Sequence, residues 1–246
     1  MKVDLAGIDV VVLAGGLGTR LRDVLGYDIP KVLAPIGGRT CLDLIIDWLE
    51  EQGARRLVLC LGHLASRVTD HLAARPPGPA VLVQVIEPEP LGTAGAVRQA
   101  RPVLKSDPVM VMNGDTFIDA DLGAFTARHR SSGAAVSLLA VEADNTDRYG
   151  RLELNTAGFI AKFIEKDAGR SGAGLASAGI HLFSAGMLDF LAAMPGPSLE
   201  RDVLQRLPAG TIRGDVVRGP FVDIGTPESL AWAATMISSR RFIPPR

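Results

Sequence analysis

Apolar positions along this chain gather into short dense runs separated by stretches of helical periodicity. Residues 8–13, 57–61, 81–86 and 108–112 are such runs, the first of them rich in β-branched side chains. The first two read as buried strands, and the other two as a third and a fourth strand. Between the first two, Leu42, Leu44, Ile45, Ile46, Trp48 and Leu49 are spaced for a core-facing helix that ends near Gly53. A second helix over 65–74 is stopped by Pro76-Pro77-Gly78-Pro79, and a third is expected over 94–100. This alternation predicts a parallel sheet with helices packed on its faces, an α/β architecture.

The second half is less regular. A helix over 122–130 and strands over 134–141, 158–166 and 177–183 are expected. Ser198 is placed to cap a helix over 199–207 that Pro208 halts. Val216-Val217 is strand-like, and a last helix over 227–238 has Pro at its first turn with Thr226 as its cap. No repeat and no clean linker interrupts the chain, so the second half reads as a lid woven onto the first. Residues 1–246 are taken as one domain, with a loose tail over 240–246.

The punctuation between elements is where polar chemistry collects. Leu13-Ala14-Gly15-Gly16-Leu17-Gly18-Thr19-Arg20-Leu21 follows the first strand with three glycines in four positions. Such a turn is either a tight corner or a row of backbone N–H groups that cradles an anion, with the Arg20 guanidinium suited to phosphate. Pro30 and Pro35 hold the next segment extended and bar it from helix, so that Lys31 projects from a stiff backbone. Glu87-Pro88-Glu89-Pro90-Leu91-Gly92-Thr93-Ala94-Gly95 makes a shaped loop after the third strand, and Asn113-Gly114-Asp115 ends the fourth. In open α/β sheets ligands bind outside the carboxyl ends of the strands. The glycine turn, the loop at 91–95 and Asp115 all belong to that edge.

Composition narrows the chemistry. The net charge of −1 offers no field for nucleic acid or an anionic membrane. No apolar run approaches the roughly 20 residues of a membrane span. Met1-Lys2-Val3-Asp4 carries an early acid, which disfavours a secretory signal. Two cysteines, Cys41 and Cys60, and four dispersed histidines lack metal-ligand spacing, so two reduced thiols in a cytoplasmic protein are expected. Asp223 sits among apolar neighbours in Phe221-Val222-Asp223-Ile224-Gly225 and asks for a partner. With Asp115 it could hold Mg²⁺, which is bound through one or two carboxylates and substrate phosphates. Arg20, Lys31 and Lys166 would complete a site for polyphosphate. The glycines match neither G-x-G-x-x-G nor the P-loop, which disfavours a dinucleotide dehydrogenase or a P-loop kinase.

The turn at 13–21 with Pro30-Lys31 resembles the signature of the sugar-phosphate nucleotidylyltransferases. Leu91-Gly92-Thr93-Ala94-Gly95, Asn113-Gly114-Asp115, Phe163-Ile164-Glu165-Lys166, Ser177-Ala178-Gly179-Ile180 and Val222-Asp223-Ile224-Gly225-Thr226 continue the resemblance in order, over about residues 8–235. It is strongest to the short guanylyltransferases acting on heptose 1-phosphate or mannose 1-phosphate, and the β-helix extension of longer members is not expected after residue 246. The resemblance implies a doubly wound, mixed but mainly parallel sheet. An NTP-binding half would lie over about 8–120 and a sugar-phosphate-binding half over about 121–235.

The resemblance also implies a reaction: GTP, or another NTP, joins a sugar 1-phosphate with release of pyrophosphate, with Mg²⁺ as cofactor, for surface polysaccharide synthesis. A homodimer is compatible with it. Residue by residue, Arg20, Lys31 and Asp115 would be catalytic. Leu13, Ala14, Gly15, Gly16, Gly18, Thr19, Glu87, Gly92 and Thr93 would bind the NTP. Asn113, Gly150, Glu165, Lys166 and Ser177 would bind the sugar phosphate, and Asp115 and Asp223 the metal. Glu87 either accepts both adjacent guanine donors, N1–H and N2–H₂, or faces solvent. Uridylyl-, thymidylyl- and cytidylyltransferases share these motifs, and a non-catalytic nucleotide-sugar sensor would be expected to lack one of Arg20, Lys31, Asp115 and Asp223.

Overall fold

The computed structural model describes residues 4–143, 151–164 and 172–238. In chain order the first half runs β1 (Asp9–Leu13), α1 (Arg22–Leu25), β2 (Pro35–Ile36), β3 (Arg39–Thr40), α2 (Cys41–Glu51), β4 (Arg56–Leu61) and α3 (Ala65–Ala74). It continues with β5 (Val81–Ile86), α4 (Gly92–Ala100), β6 (Val109–Asn113) and β7 (Thr116–Ile118). The second half holds α5 (Leu122–Ser132), β8 (Val136–Ala143), β9 (Arg151–Leu154), β10 (Ile160–Ile164) and β11 (Gly174–Phe183). It ends with α6 (Ala185–Ala193), β12 (Ile212–Val217), β13 (Phe221–Asp223) and α7 (Pro227–Ser238).

Among the described residues nine strands form one mixed sheet. Its parallel half is ordered β5-β4-β1-β6. The sheet continues past β6 into β11, which runs antiparallel to β6 and to β8, and β8 takes β12 as a parallel neighbour. Two-sided burial explains the apolar runs of β1, β4 and β6, whereas β5, at the sheet edge, has no buried residue. Along β1, Val10 and Val12 belong to one core cluster and Val11 to the other, and Leu59 and Cys60 divide in the same way on β4. Helices α2 and α5 supply apolar side chains to the first cluster, α4 and α6 to the second. Each fully buried Val or Leu contributes on the order of 1.5–3 kcal/mol.

Three features depart from the sequence expectations. The segment after Pro30 does not stay extended: Lys31–Leu33 close one turn of 3₁₀ helix, with the extended Pro30 (φ −66°, ψ 143°) as its cap. Proline at 30 fixes only its own φ and restricts the residue before it, which leaves residues 31–33 free to turn. The helix capped by Ser198 is a π turn at Leu199–Val203 that passes into a 3₁₀ turn at Leu204–Arg206. Helix α6, capped by the Ser184 side chain, and the strands β7, β9 and β13 are additional to the elements expected. No helix among the described residues is long and apolar enough to cross a membrane.

Candidate active site

The carboxyl ends of β1 and β6 and the loop that follows β5 line one cleft of about 510 Å³. Its wall includes the glycine turn from Leu13 to Leu21, Lys31, Glu87, Gly92, Thr93, Asn113, Asp115 and Gly225. Every residue expected to bind the NTP therefore lines it, together with Asn113. Gly150, Glu165 and Lys166 lie outside the described residues.

The turn itself is shaped from both sides. Gly18 adopts φ +58°, and a Cβ there would stand 3.0 Å from the Lys31 Cβ, so the lysine packs directly beneath the loop. A Cβ on Gly15 would stand 3.0 Å from Glu87 Oε1 and 3.1 Å from the Gly62 nitrogen. Gly16 is different: a Cβ there would meet nothing within 4 Å, and its φ is not positive. Arg20 is exposed on the rim, in the short 3₁₀ turn Thr19–Leu21.

Asp115 and Asp223 meet, which the sequence could not settle. The two-stranded ribbon of β7 and β13 places Asp223 opposite Thr116, and the Ile224 N–H donates to the Asp115 carbonyl at 2.9 Å. Both carboxylates then face Lys31. Its Nζ donates to Asp115 Oδ2 and lies 3.9 Å from Asp223 Oδ1. Two part-buried carboxylates sharing one ammonium make a donor set that suits a divalent cation shared with phosphate oxygens.

Glu87 is half-buried in the cleft wall rather than turned to solvent. Its Oε2 accepts the Leu91 N–H at 3.1 Å, while Oε1 lies over Gly15. Beneath the site sit both thiols. Burial, with the Glu87 carboxylate adding to it, pushes the Cys60 thiol up to about 12. Burial followed by the Asp115 carboxylate pushes Cys41 higher still, against the opposing pull of Lys31. Both are therefore neutral at pH 7 and neither is a nucleophile.

Ser177 is not part of the cleft wall. It is buried on β11, where its Oγ accepts the Gly179 N–H at 3.2 Å within an irregularity of the β11–β8 pairing. Gly179 adopts φ +69°, and a Cβ there would stand 2.4 Å from Asn113 Nδ2. Ser177 thus reaches the cleft through the backbone that backs Asn113.

Sequence reading missed the support behind the loop at 91–95. Helix α4 has no side-chain cap of its own. Its Ala94 N–H instead donates to the Pro197 carbonyl at 2.8 Å, and Thr93 Oγ1 accepts the Leu199 N–H at 2.8 Å. The Arg98 guanidinium donates to the carbonyls of Met194 at 3.1 Å and Gly196 at 2.7 Å. The only trace in the sequence is the Pro-Gly-Pro at 195–197, which marks a turn without naming its partner.

Comparison with known proteins agrees with this geometry. Residues 9–240 match the family described as nucleotidyl transferase. The chain is 29% identical to the D-glycero-alpha-D-manno-heptose 1-phosphate guanylyltransferase of Campylobacter jejuni, over 90% of this chain and 96% of that one. It is 30% identical to the enzyme of that name from Aneurinibacillus thermoaerophilus, over 90% and 94% of the two chains. Among solved structures, HddC from Yersinia pseudotuberculosis in complex with GMP-PN superposes with a TM-score of 0.81 at 32% identity, covering 94% of this chain and 99% of that one.

Proposed function

Since the chain belongs to the nucleotidyl transferase family, we propose that it joins GTP to D-glycero-D-manno-heptose 1-phosphate, yielding the GDP-sugar and pyrophosphate for surface polysaccharide synthesis. The observation that carries this reading is the cation between two acids: Lys31, held by Asp115 and Asp223 at the foot of the glycine turn. Resemblance to two heptose 1-phosphate guanylyltransferases and to a GMP-PN complex supports the choice of sugar and base.

The chemistry follows from charge. A phosphate oxygen of the sugar 1-phosphate is already ionised at neutral pH, so no general base is required. It attacks the α-phosphorus; the new P–O bond forms as the bond to the β-phosphate oxygen breaks, and pyrophosphate leaves with that electron pair. The barrier lies in bringing two polyanions together and stabilising charge on the transferring phosphoryl group. The backbone of Gly15, Gly16 and Gly18 cradles the triphosphate. Arg20 grips the leaving β- and γ-phosphates, and Lys31 turns to the α-phosphate.

Asp115 and Asp223 would hold Mg²⁺, whose charge, when bound, offsets that of the phosphate oxygens. Glu87 is suited to guanine because a carboxylate can accept both N1–H and N2–H₂, and its place in the wall beside Gly15 supports that role. Asn113, with Gly150, Glu165 and Lys166, would receive the sugar phosphate, while Ser177 acts from behind Asn113. The single test is a panel of four NTPs against heptose 1-phosphate, mannose 1-phosphate and glucose 1-phosphate with Mg²⁺, read by pyrophosphate release. Preferred turnover of GTP with the heptose is expected. Pyrophosphate release only with UTP, CTP or dTTP would overturn the base assignment, and none with any pair would overturn the activity.

A further inference from the structure

The loop that closes one end of the cleft does not hold itself in place. Gly92 adopts φ +71°, and a Cβ there would stand 2.5 Å from the Pro197 carbonyl oxygen, so the 195–197 turn is packed flat against it. The first turn of α4 is capped by that same carbonyl and tied through Thr93 to Leu199. On the α4 side the turn is fixed by Arg98, which lies outside the cleft wall and spans from α4 to the carbonyls of Met194 and Gly196. Charge-assisted hydrogen bonds of this kind are stronger than neutral ones, and a planar guanidinium fixes two acceptors at once. On the far side Gly196, at φ +99°, abuts the Asp202 side chain, and Asp202 Oδ2 accepts the Ser198 N–H at 2.9 Å. The turn is thereby braced from both directions.

Resting on the nucleotide reading of the cleft, we propose that Arg98 is a positioning residue for its base end: by clamping the 194–197 turn against Gly92 it sets nucleotide affinity and base selectivity without touching the nucleotide. Glu87, beside Gly15, is tied by its own carboxylate to the N–H of Leu91, the residue before Gly92. A loosened turn therefore changes the gap between Gly92 and Glu87, which is where a base would be measured. The phosphate end, built from the glycine turn and Lys31, shares no hydrogen bond with Arg98 among the described residues and keeps its geometry.

The test compares Arg98→Ala and Arg98→Lys with the wild-type chain in steady-state turnover and in calorimetric binding of GTP alone. For Arg98→Ala a rise in KM and Kd for GTP of about tenfold is expected, a loss of about 1.4 kcal/mol. The kcat and the KM for sugar 1-phosphate should stay within about twofold, and the preference for GTP over ATP should fall by about the same factor as affinity. Arg98→Lys, able to keep one of the two carbonyl bonds, should restore part of the affinity. If Arg98→Ala does not fold, the lysine variant decides the matter by its GTP Kd alone. Unchanged GTP affinity and unchanged base preference overturn the proposal. So does a parallel fall of kcat with the folded fraction. The calorimetric arm needs no turnover, so a wild-type chain that binds GTP without releasing pyrophosphate would sink the proposed reaction while still reporting on Arg98.

Discussion

Gly16→Ala separates what the fold needs from what a ligand needs. At this position the backbone is not left-handed, and an added methyl would meet no atom within 4 Å. The fold therefore has no use for glycine here. Alanine should stabilise the chain by about 0.4–1 kcal/mol, because it narrows the unfolded ensemble. For a chain of this size each kcal/mol moves Tm by roughly 2–4 °C, so a rise of about 1–4 °C is expected in a calorimetric scan. The empty space beside Gly16 is the cleft itself, and a methyl there occupies the approach of a phosphate oxygen to the backbone N–H groups. Losing one such approach should raise the KM for GTP about tenfold or more, as read by pyrophosphate release. Stability and affinity thus move in opposite directions from one methyl group. Unchanged KM would show that no ligand comes close to this turn, and a Tm lowered by several degrees would show that the fold, after all, required the glycine.

Lys31→Ala and Asp115→Ala should each lower kcat by about 10²-fold or more while Tm changes by only a few degrees, since both groups lie at the cleft rather than in the core; wild-type turnover in either variant would remove the cation site from the chemistry. Gly92→Ala adds a Cβ against the backbone of Pro197 at a left-handed φ, so a loss of about 1–2 kcal/mol or more from strain is expected together with a raised KM for GTP; equal Tm and KM would mean that the loop is not docked there. His181 is buried, and burial pushes its imidazole down to about 4 from an unfolded value of 6.5. The unfolded chain then binds the extra proton between these values, so stability is full above about pH 6.5 and falls as pH drops to about 4, by about 3 kcal/mol from this residue. His181→Asn should flatten that slope in denaturant titrations at pH 7 and pH 4.5, and an unchanged slope would show that His181 is not its source.

How far the sequence could be read depended on the range of the interaction. The parallel half was legible because two-sided burial of β1, β4 and β6 forces dense apolar runs, β5 keeps a mostly apolar sequence at the sheet edge, and the turns after them are written in Gly, Pro and Asp. The cleft residues at those turns followed from topology, since the carboxyl ends of parallel strands share one edge. Lys31 was found, but its 3₁₀ turn was not, because the Pro30 constraint hid the freedom of the residues that follow. Asp115 and Asp223 could be nominated singly, whereas their meeting depends on the β7–β13 ribbon, a pairing of three-residue strands with no local signal. Ser177 matched a motif, yet its hydroxyl serves the backbone at Gly179. Helix α6 lay hidden in Ala185–Ala193, where a mostly apolar segment shows only a weak helical stripe. Arg98 left no mark, since its acceptors are carbonyls about a hundred residues away and carbonyls carry no side-chain identity.

The ribbon that carries Asp223 also sets a time of arrival. Chains emerge from the ribosome N-terminus first, and β1, β4, β5 and β6 can pair once residue 113 is out. The acid that completes the Lys31 cluster is made 110 residues later, on a strand that must find β7 across the intervening elements β8 to β12. A nascent or truncated chain can therefore own a glycine turn, Lys31 and Asp115 and still lack the second carboxylate. Competence for phosphoryl chemistry is withheld until the second half of the sheet has been synthesised.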